Sequence, residues 1–422
     1  MVRSVTPAGR LSGPKGLSRI GWAGYLGGLS LLAPALVLGA WLAVHRIPGF
    51  GPWVADTLRA VIGVDGVARL EELVYGVEDR FNSVWRRGEK PRAYWVVPSE
   101  PAPEVAAPAN GSGAPADGEA PAAAVLPPFR PGNVGPMYES CAAPGDGQWV
   151  PLPEGTPAEQ ARMFKTLLHP DKKRAWAELF VVALDLQRLS VQLVPGTREP
   201  APLMKDAFEM ARTGMVPEEY HSSVLAAFNG GFKTEHGHYG MHVGGTTIVP
   251  PHDKTCTIAY FKDNSLRIGS WSRLGEQLDE TSWWRQTPEC MFQDGKMHPR
   301  LAGGYPQNWG STLDGETVIR RSALGVDATG NTLYVAISNH TTAPAIASGM
   351  RHAGAMTVAQ LDINFSFPKF VTFRASRISK LRFAVPLARG FEFSEHEYLR
   401  KPSYRDFFYV VDRTTDGRTA SN

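Results

Sequence analysis

Apolar residues run through this chain in one unbroken stretch and then in two rhythms. Gly21 to Val44 carries no charged side chain. As a helix rising about 1.5 Å per residue it reaches about 36 Å, enough to cross a hydrocarbon core of about 30 Å. Trp22, Tyr25 and Trp41 lie near its ends, where amphipathic rings favour the interface. A cleaved signal peptide has a shorter apolar region followed by a small-x-small site. Trp41-Leu42-Ala43-Val44-His45 offers no such site, so the run predicts an uncleaved anchor. Arg3, Arg10, Lys15 and Arg19 precede it with no acid among them. That bias predicts a cytoplasmic N-terminus and a main domain that is periplasmic or extracellular.

A helical rhythm follows. Val67, Leu70, Val74, Val77, Phe81 and Val84 recur at spacings of three and four, which predicts one apolar stripe on a helix over Asp65–Arg87. The stripe spans fewer than three heptads, so packing on its own domain is expected over a coiled coil. Residues 98–135 are dominated by Pro, Ala and Gly in their first part and read as a linker that cannot bury enough surface to order itself. The folded domain is placed at 145–412 and a polar tail at 413–422. Within the domain, Ala158–Leu168 and Pro202–Thr213 read as helices opened by proline, and Ala345–Ala353 as a third. Leu179–Leu186 and Leu189–Val194 read as a hairpin, as do Ile258–Phe261 and Leu266–Ile268 around Asp263-Asn264, and Ser322–Val326 and Thr332–Ile337 around Asp327–Asn331. Val358–Leu361, Phe370–Phe373, Leu381–Val385 and Phe407–Val411 are further strand-like runs. Many strands with few helices predict an α+β, sheet-rich single domain preceded by one transmembrane helix and a juxtamembrane helical segment over 45–97.

Composition narrows the function. The 44 Lys and Arg against 41 Asp and Glu leave a net charge of +3, too balanced for a dedicated nucleic-acid binder, so no nucleic-acid partner is expected. Three cysteines, Cys141, Cys256 and Cys290, cannot form a disulfide scaffold or a cysteine metal site. In an oxidising compartment Cys256 and Cys290 can pair and leave Cys141 free, but sequence does not fix the pairing.

The densest polar stretch is Asn229 to Gly245, where six glycines allow close backbone approach to a ligand. Its histidines, His236, His238 and His242, lack the full ligand set that a metal site needs, so no metal and no cofactor is expected. Proton donation or phosphate contact suits them better. Arg320 and Arg321 stand side by side on a strand and point to opposite faces, so at most one lines a given site. Asp362 ends an apolar strand before an irregular loop, a position suited to acid, base or nucleophile work, although a turn-capping aspartate looks the same in sequence.

Taken together, Leu179 to Leu186, Ala226-Ala-Phe-Asn229-Gly-Gly-Phe232, Gly244-Gly245 leading to Pro250-Pro251, Arg321-Ser-Ala-Leu-Gly325-Val and Ala359-Gln-Leu-Asp362 resemble the phosphodiester glycosidase domain family. The order of these elements matches across about Trp176 to Phe373. Two places differ. Ile363-Asn364-Phe365-Ser366-Phe367 replaces a glycine run followed by serine, and Lys233 replaces an aromatic. The resemblance implies hydrolysis at the anomeric carbon of a sugar-1-phosphodiester, with a glycan or sugar phosphate as partner. It assigns Arg321 to the phosphate, Asp362 to nucleophile, base or electrostatic stabiliser, and His238 or His242 to general acid. Asn229, Gly230 and Gly231, with His236, Asn364 and Ser366, are the expected substrate contacts. The competing expectation is a carbohydrate-binding or envelope-organising protein that kept the fold and lost turnover. Sequence leaves the oligomeric state open.

Overall fold

The computed structural model describes Gly39 and residues 50–97, 126–310, 317–376 and 381–413. The expected membrane span over 21–44 apart from Gly39, most of the linker and nearly all of the tail lie outside the described residues. Among those described, no helix is long and apolar enough to cross a membrane.

Three antiparallel sheets are found among the described residues. The largest runs, edge to edge, through Val150–Pro151, Met163–Leu168, Glu178–Asp185, Thr332–Thr341, Ile319–Val326, Thr357–Ile363, Phe292–Gln293 and Lys296–Met297. A second holds Thr246–Val249, Met241–Val243, Thr281–Thr287, Cys256–Phe261 and Leu266–Ser270. The third holds Arg382–Pro386, Phe370–Ala375, Ala226–Asn229, Phe407–Asp412 and Leu189–Val194. All three lie within the unit Arg69–Asn422. The sheet-rich α+β expectation describes this architecture.

The main core gathers side chains from all three sheets, among them Phe180, Val182, Leu193, Phe228, Ile258, Trp283, Leu361 and Phe408. The other face of the large sheet, through Leu179, Val181 and Ala183, packs against Ile346, Ala347 and Met350 of the helix Ala343–His352. That helix matches its prediction, with Thr342 as N-cap accepting from the Ala345 amide.

Four expectations are corrected. Ala158–Leu168 is not a helix: a turn at Pro157 leads into the strand Met163–Leu168. Met163 and Leu167 enter one core, and Phe164 and Leu168 the other. A strand apolar on both faces imitates the helical pattern. Leu179–Leu186 and Leu189–Val194 are not a hairpin. Glu178–Asp185 is paired on both sides, by Met163–Leu168 and Thr332–Thr341, so no edge is left for its successor. After the turn at Asp185 the chain crosses to the third sheet, where Leu189–Val194 pairs with Phe407–Asp412. Phe180, Val182 and Leu184 then share one core with Leu189, Val191 and Leu193. Pro202–Thr213 forms only a single 3-10 turn, Lys205–Phe208, in which Ala207 alone is buried. Finally, the helix starts earlier than expected, at Phe50–Trp85, and its apolar stripe does not pack down: Val77, Phe81 and Val84 are 58%, 62% and 78% exposed.

A disulfide joins Cys256 to Cys290, with Cα atoms 4.7 Å apart, and Cys141 is free and buried.

Candidate functional site

Strand ends from the three sheets meet at one point. Ala226–Asn229 is followed by two residues that must be glycines. A Cβ on Gly230 would stand 2.3 Å from Asp406 Oδ2, and one on Gly231 3.0 Å from Arg285 Nη2. These glycines therefore admit the protein's own side chains rather than leave open space. The Gly230 amide donates to the Asp406 carbonyl at 2.9 Å and the Gly231 amide to Asp406 Oδ2 at 3.0 Å.

Asn229 is fully buried and cross-links the sheets. Its Nδ2 donates to Ser322 Oγ at 2.8 Å and to the Gly230 carbonyl at 3.0 Å. Its Oδ1 accepts from the Lys369 amide at 3.1 Å. Ser322 Oγ in turn donates to the Asp362 carbonyl at 2.8 Å. The amide of one sheet is thus two hydrogen bonds from the backbone of the aspartate on another.

The Asp362 side chain, in a residue 1% exposed, faces Arg405, whose Nη1 lies 2.6 Å from Oδ2. The contact is a buried ion pair. Burial raises the Asp362 pKa to about 6 against the lowering pull of Arg405, with Asp406 adding to the rise. Arg405 also donates from Nη2 to the Gly231 carbonyl at 3.1 Å, and its guanidinium lies 4.2 Å from the centre of the Phe367 ring. Behind it, Arg285 Nε donates to Asp406 Oδ2 at 2.9 Å, Nη1 to the Tyr239 carbonyl at 2.9 Å and Nη2 to the Phe232 carbonyl at 2.5 Å. Arg405 Nε and Asp406 Oδ1 are buried with no hydrogen-bond partner. Two such atoms in neighbouring residues are uncommon in a folded interior.

Asn229, Gly230, Gly231 and Asp362 are therefore brought together, and Arg321 is not. The Arg321 guanidinium is fully buried and donates to the carbonyls of Thr341, Trp309, Gly310 and Thr317 and to Gln360 Oε1. Burial pulls its pKa down to about 9. Arg320 points the other way and donates to Asn339 Oδ1 and the carbonyls of Phe365 and Gly390. His242 hydrogen-bonds Thr247 Oγ1 at 2.9 Å and stacks on Trp284, and burial lowers its pKa. His238 is exposed, and His236 lies 3.4 Å from Glu235 Oε1. No hydrogen bond or ion pair joins these histidines to Asp362 among the described residues. Asn364 Oδ1 accepts from the Ser366 amide and hydroxyl at 2.9 and 3.1 Å, a local turn within the loop that replaces the glycine run. Among the described residues no three His, Cys, Asp or Glu side chains are grouped to hold a metal.

No family profile matches the chain. No curated protein matches it either. Solved structures do. The catalytic domain of zebrafish N-acetylglucosamine-1-phosphodiester alpha-N-acetylglucosaminidase, auto-inhibited by its pro-peptide, is 13% identical with a TM-score of 0.39. The match covers 63% of this chain and 86% of that one. A hypothetical protein from Synechocystis is 10% identical with a TM-score of 0.30, covering 56% of this chain and 59% of that one. These are distant structural resemblances.

Sequence reading missed Arg405, Asp406 and Arg285. A signal was present for each. Arg405-Asp406 is a charged pair directly before the apolar strand Phe407–Asp412, and Arg285 follows two tryptophans inside the strand Thr281–Thr287. A charge embedded in a buried strand must have a partner.

Proposed function

We propose that the chain is a hydrolase that cleaves a sugar-1-phosphodiester at the Asp362–Arg405 pair, held at a membrane by residues 21–44 with its domain outside the cytoplasm. The observation that carries the reading is the buried Asp362 carboxyl, raised to about 6 and set against a guanidinium with an unpartnered Nε. A carboxyl with that pKa exchanges protons near neutrality. As carboxylate it stabilises positive charge at an anomeric carbon or takes a proton from the attacking water. Arg405 takes the phosphate role that the resemblance gave to Arg321, because its fork is only partly engaged by neutral acceptors. The C1–O bond breaks with its electron pair leaving on the phosphate, and water supplies the new C1 oxygen. Phe367 lies over Arg405, so substrate reaches the pair when the loop Asn364–Pro368 lifts.

One observation favours the second reading, a carbohydrate-binding protein without turnover: Asp362 is almost wholly covered. Free sugar released from a panel of methyl phosphodiesters of sugar-1-phosphates separates the two. The wild type is expected to release sugar, and Asp362→Asn and Arg405→Met to lose about a hundredfold or more in rate. Binding of the panel without release by the wild type overturns the hydrolase in favour of the binding protein, and full activity in Asp362→Asn removes the mechanism.

A further inference from the structure

On the surface that carries Arg320, two cavities lie side by side. One, of about 190 Å³, is lined by Arg86, Lys90, Arg92, Arg320 and Arg389 among others. The second, of about 490 Å³, shares Arg86, Glu89, Lys90, Ala175 and Trp176 with the first and adds Arg87, Lys172 and Lys173. Together their walls present eight cationic side chains against two carboxylates, Glu89 and Glu178. The whole chain has a net charge of only +3, so the positive charge is concentrated here rather than spread.

The carboxylates are already engaged. Glu89 sits 2.6 Å from Arg92 and 3.7 Å from Arg86. Glu178 accepts from the Tyr94 hydroxyl at 2.8 Å and from Asn339 Nδ2 at 3.2 Å. Nearby Asp79 and Asp171 are held by Arg174. Arg87, Lys90 and Arg389 are exposed, and none has an ion-pair partner among the described residues. His340 at the margin stays neutral, because burial drives its pKa down to about 4. Like charges gathered in a concave wall focus potential and attract an anion.

We propose that the paired cavities form a binding groove for a soluble, phosphate-bearing polyanion, a chain of phosphodiesters or phosphoanhydrides in which successive phosphates occupy the two cavities. Neither Asp362 nor Arg405 lines the groove, and it does not depend on turnover there. Shape favours this partner over others. A bilayer is flat, whereas the charges converge in recesses. Single-stranded nucleic acid needs open ring faces for its bases, and the aromatic liners are closed to it: Trp176 is buried, and Tyr94 packs edge-on against Phe180. The exposed Trp85 beside Arg86 makes an anionic bilayer the competitor to be tested.

The experiment titrates the full chain with linear inorganic polyphosphate by calorimetry, alongside sedimentation with vesicles rich in anionic phospholipid and a polythymidine control. Polyphosphate is expected to bind, and to weaken about tenfold or more between about 50 and 200 mM salt. The triple variant Arg87→Glu, Lys90→Glu, Arg389→Glu, confined to exposed side chains, is expected to lose at least about tenfold. Lys205→Glu, an exposed lysine outside the groove, is expected to change binding by less than about twofold. Equal binding by the triple variant, or an equal loss in Lys205→Glu, overturns the groove. Vesicle binding without polyphosphate binding overturns it in favour of a membrane surface, and tighter binding of polythymidine than of polyphosphate overturns the choice of partner.

Discussion

Arg321 and Arg405 are both buried arginines, and they are held in opposite ways. Arg321 ends on neutral acceptors alone, four carbonyls and an amide oxygen. It ties the backbone of Trp309, Gly310 and Thr317 to the large sheet. Arg405 faces a carboxylate, a single carbonyl and a ring. A guanidinium saturated by carbonyls is fixed framework, with nothing left for a ligand. One that shares a carboxylate and keeps an unpartnered nitrogen has capacity to respond when an anion arrives. Residue type and neighbouring sequence do not separate these cases. Only the acceptors around each fork do.

The comparison can be broken at its support. Arg285→Met removes the guanidinium that holds Asp406 and leaves that carboxylate buried beside Gly231. The loss is expected to be about 3–5 kcal/mol by chemical denaturation, and a loss below about 1 kcal/mol would show that the Arg285–Asp406 pair supports nothing. The next effect is a slope. Asp362 has a folded pKa of about 6, above an unfolded value near 3.9, so the folded state holds more protons between them. Its stabilising share is complete below pH about 4 and disappears as pH rises through about 6, roughly 3 kcal/mol in all. Stability of the wild type should therefore fall with pH across that window more steeply than that of Asp362→Asn. Parallel curves would mean that the carboxyl is not raised. The smallest effect is on the other side of the comparison. Arg321→Met leaves several carbonyls without donors but also removes an unpaired buried charge. The two oppose, and the expected loss is about 1–2 kcal/mol, less than for Arg285→Met. The reverse ranking would erase the distinction between the two kinds of arginine.

Strand pairs were readable in sequence where a turn signal stood between two β-rich runs. Cys256–Phe261 with Leu266–Ser270 is such a case, with Asn264 at φ 65 in the turn. Reading failed at Met163–Leu168, where burial on both faces removes the alternation and Pro157 ahead of the run imitates a helix start. It also failed where the chain changes sheets, as after Asp185, because the partner of Leu189–Val194 lies more than two hundred residues away at Phe407–Asp412. Within the site, Asn229, Gly230, Gly231 and Asp362 were legible because each sits at the end of a recognisable strand. Arg405 was not, since its value comes from a neighbour supplied by another sheet. The balanced total charge likewise hid the groove, because a sum over the chain says nothing of where the charges gather.

The large sheet ends in two stubs, Val150–Pro151 on one side and Lys296–Met297 on the other, each of two residues. An eight-stranded sheet with long free margins would offer rows of open amides and carbonyls on which another molecule's strand could dock. Here each margin is too short to template such growth, one carries a proline that cannot donate and the other an exposed lysine. The outermost strands of this sheet therefore offer little open backbone with which another molecule's strand could pair.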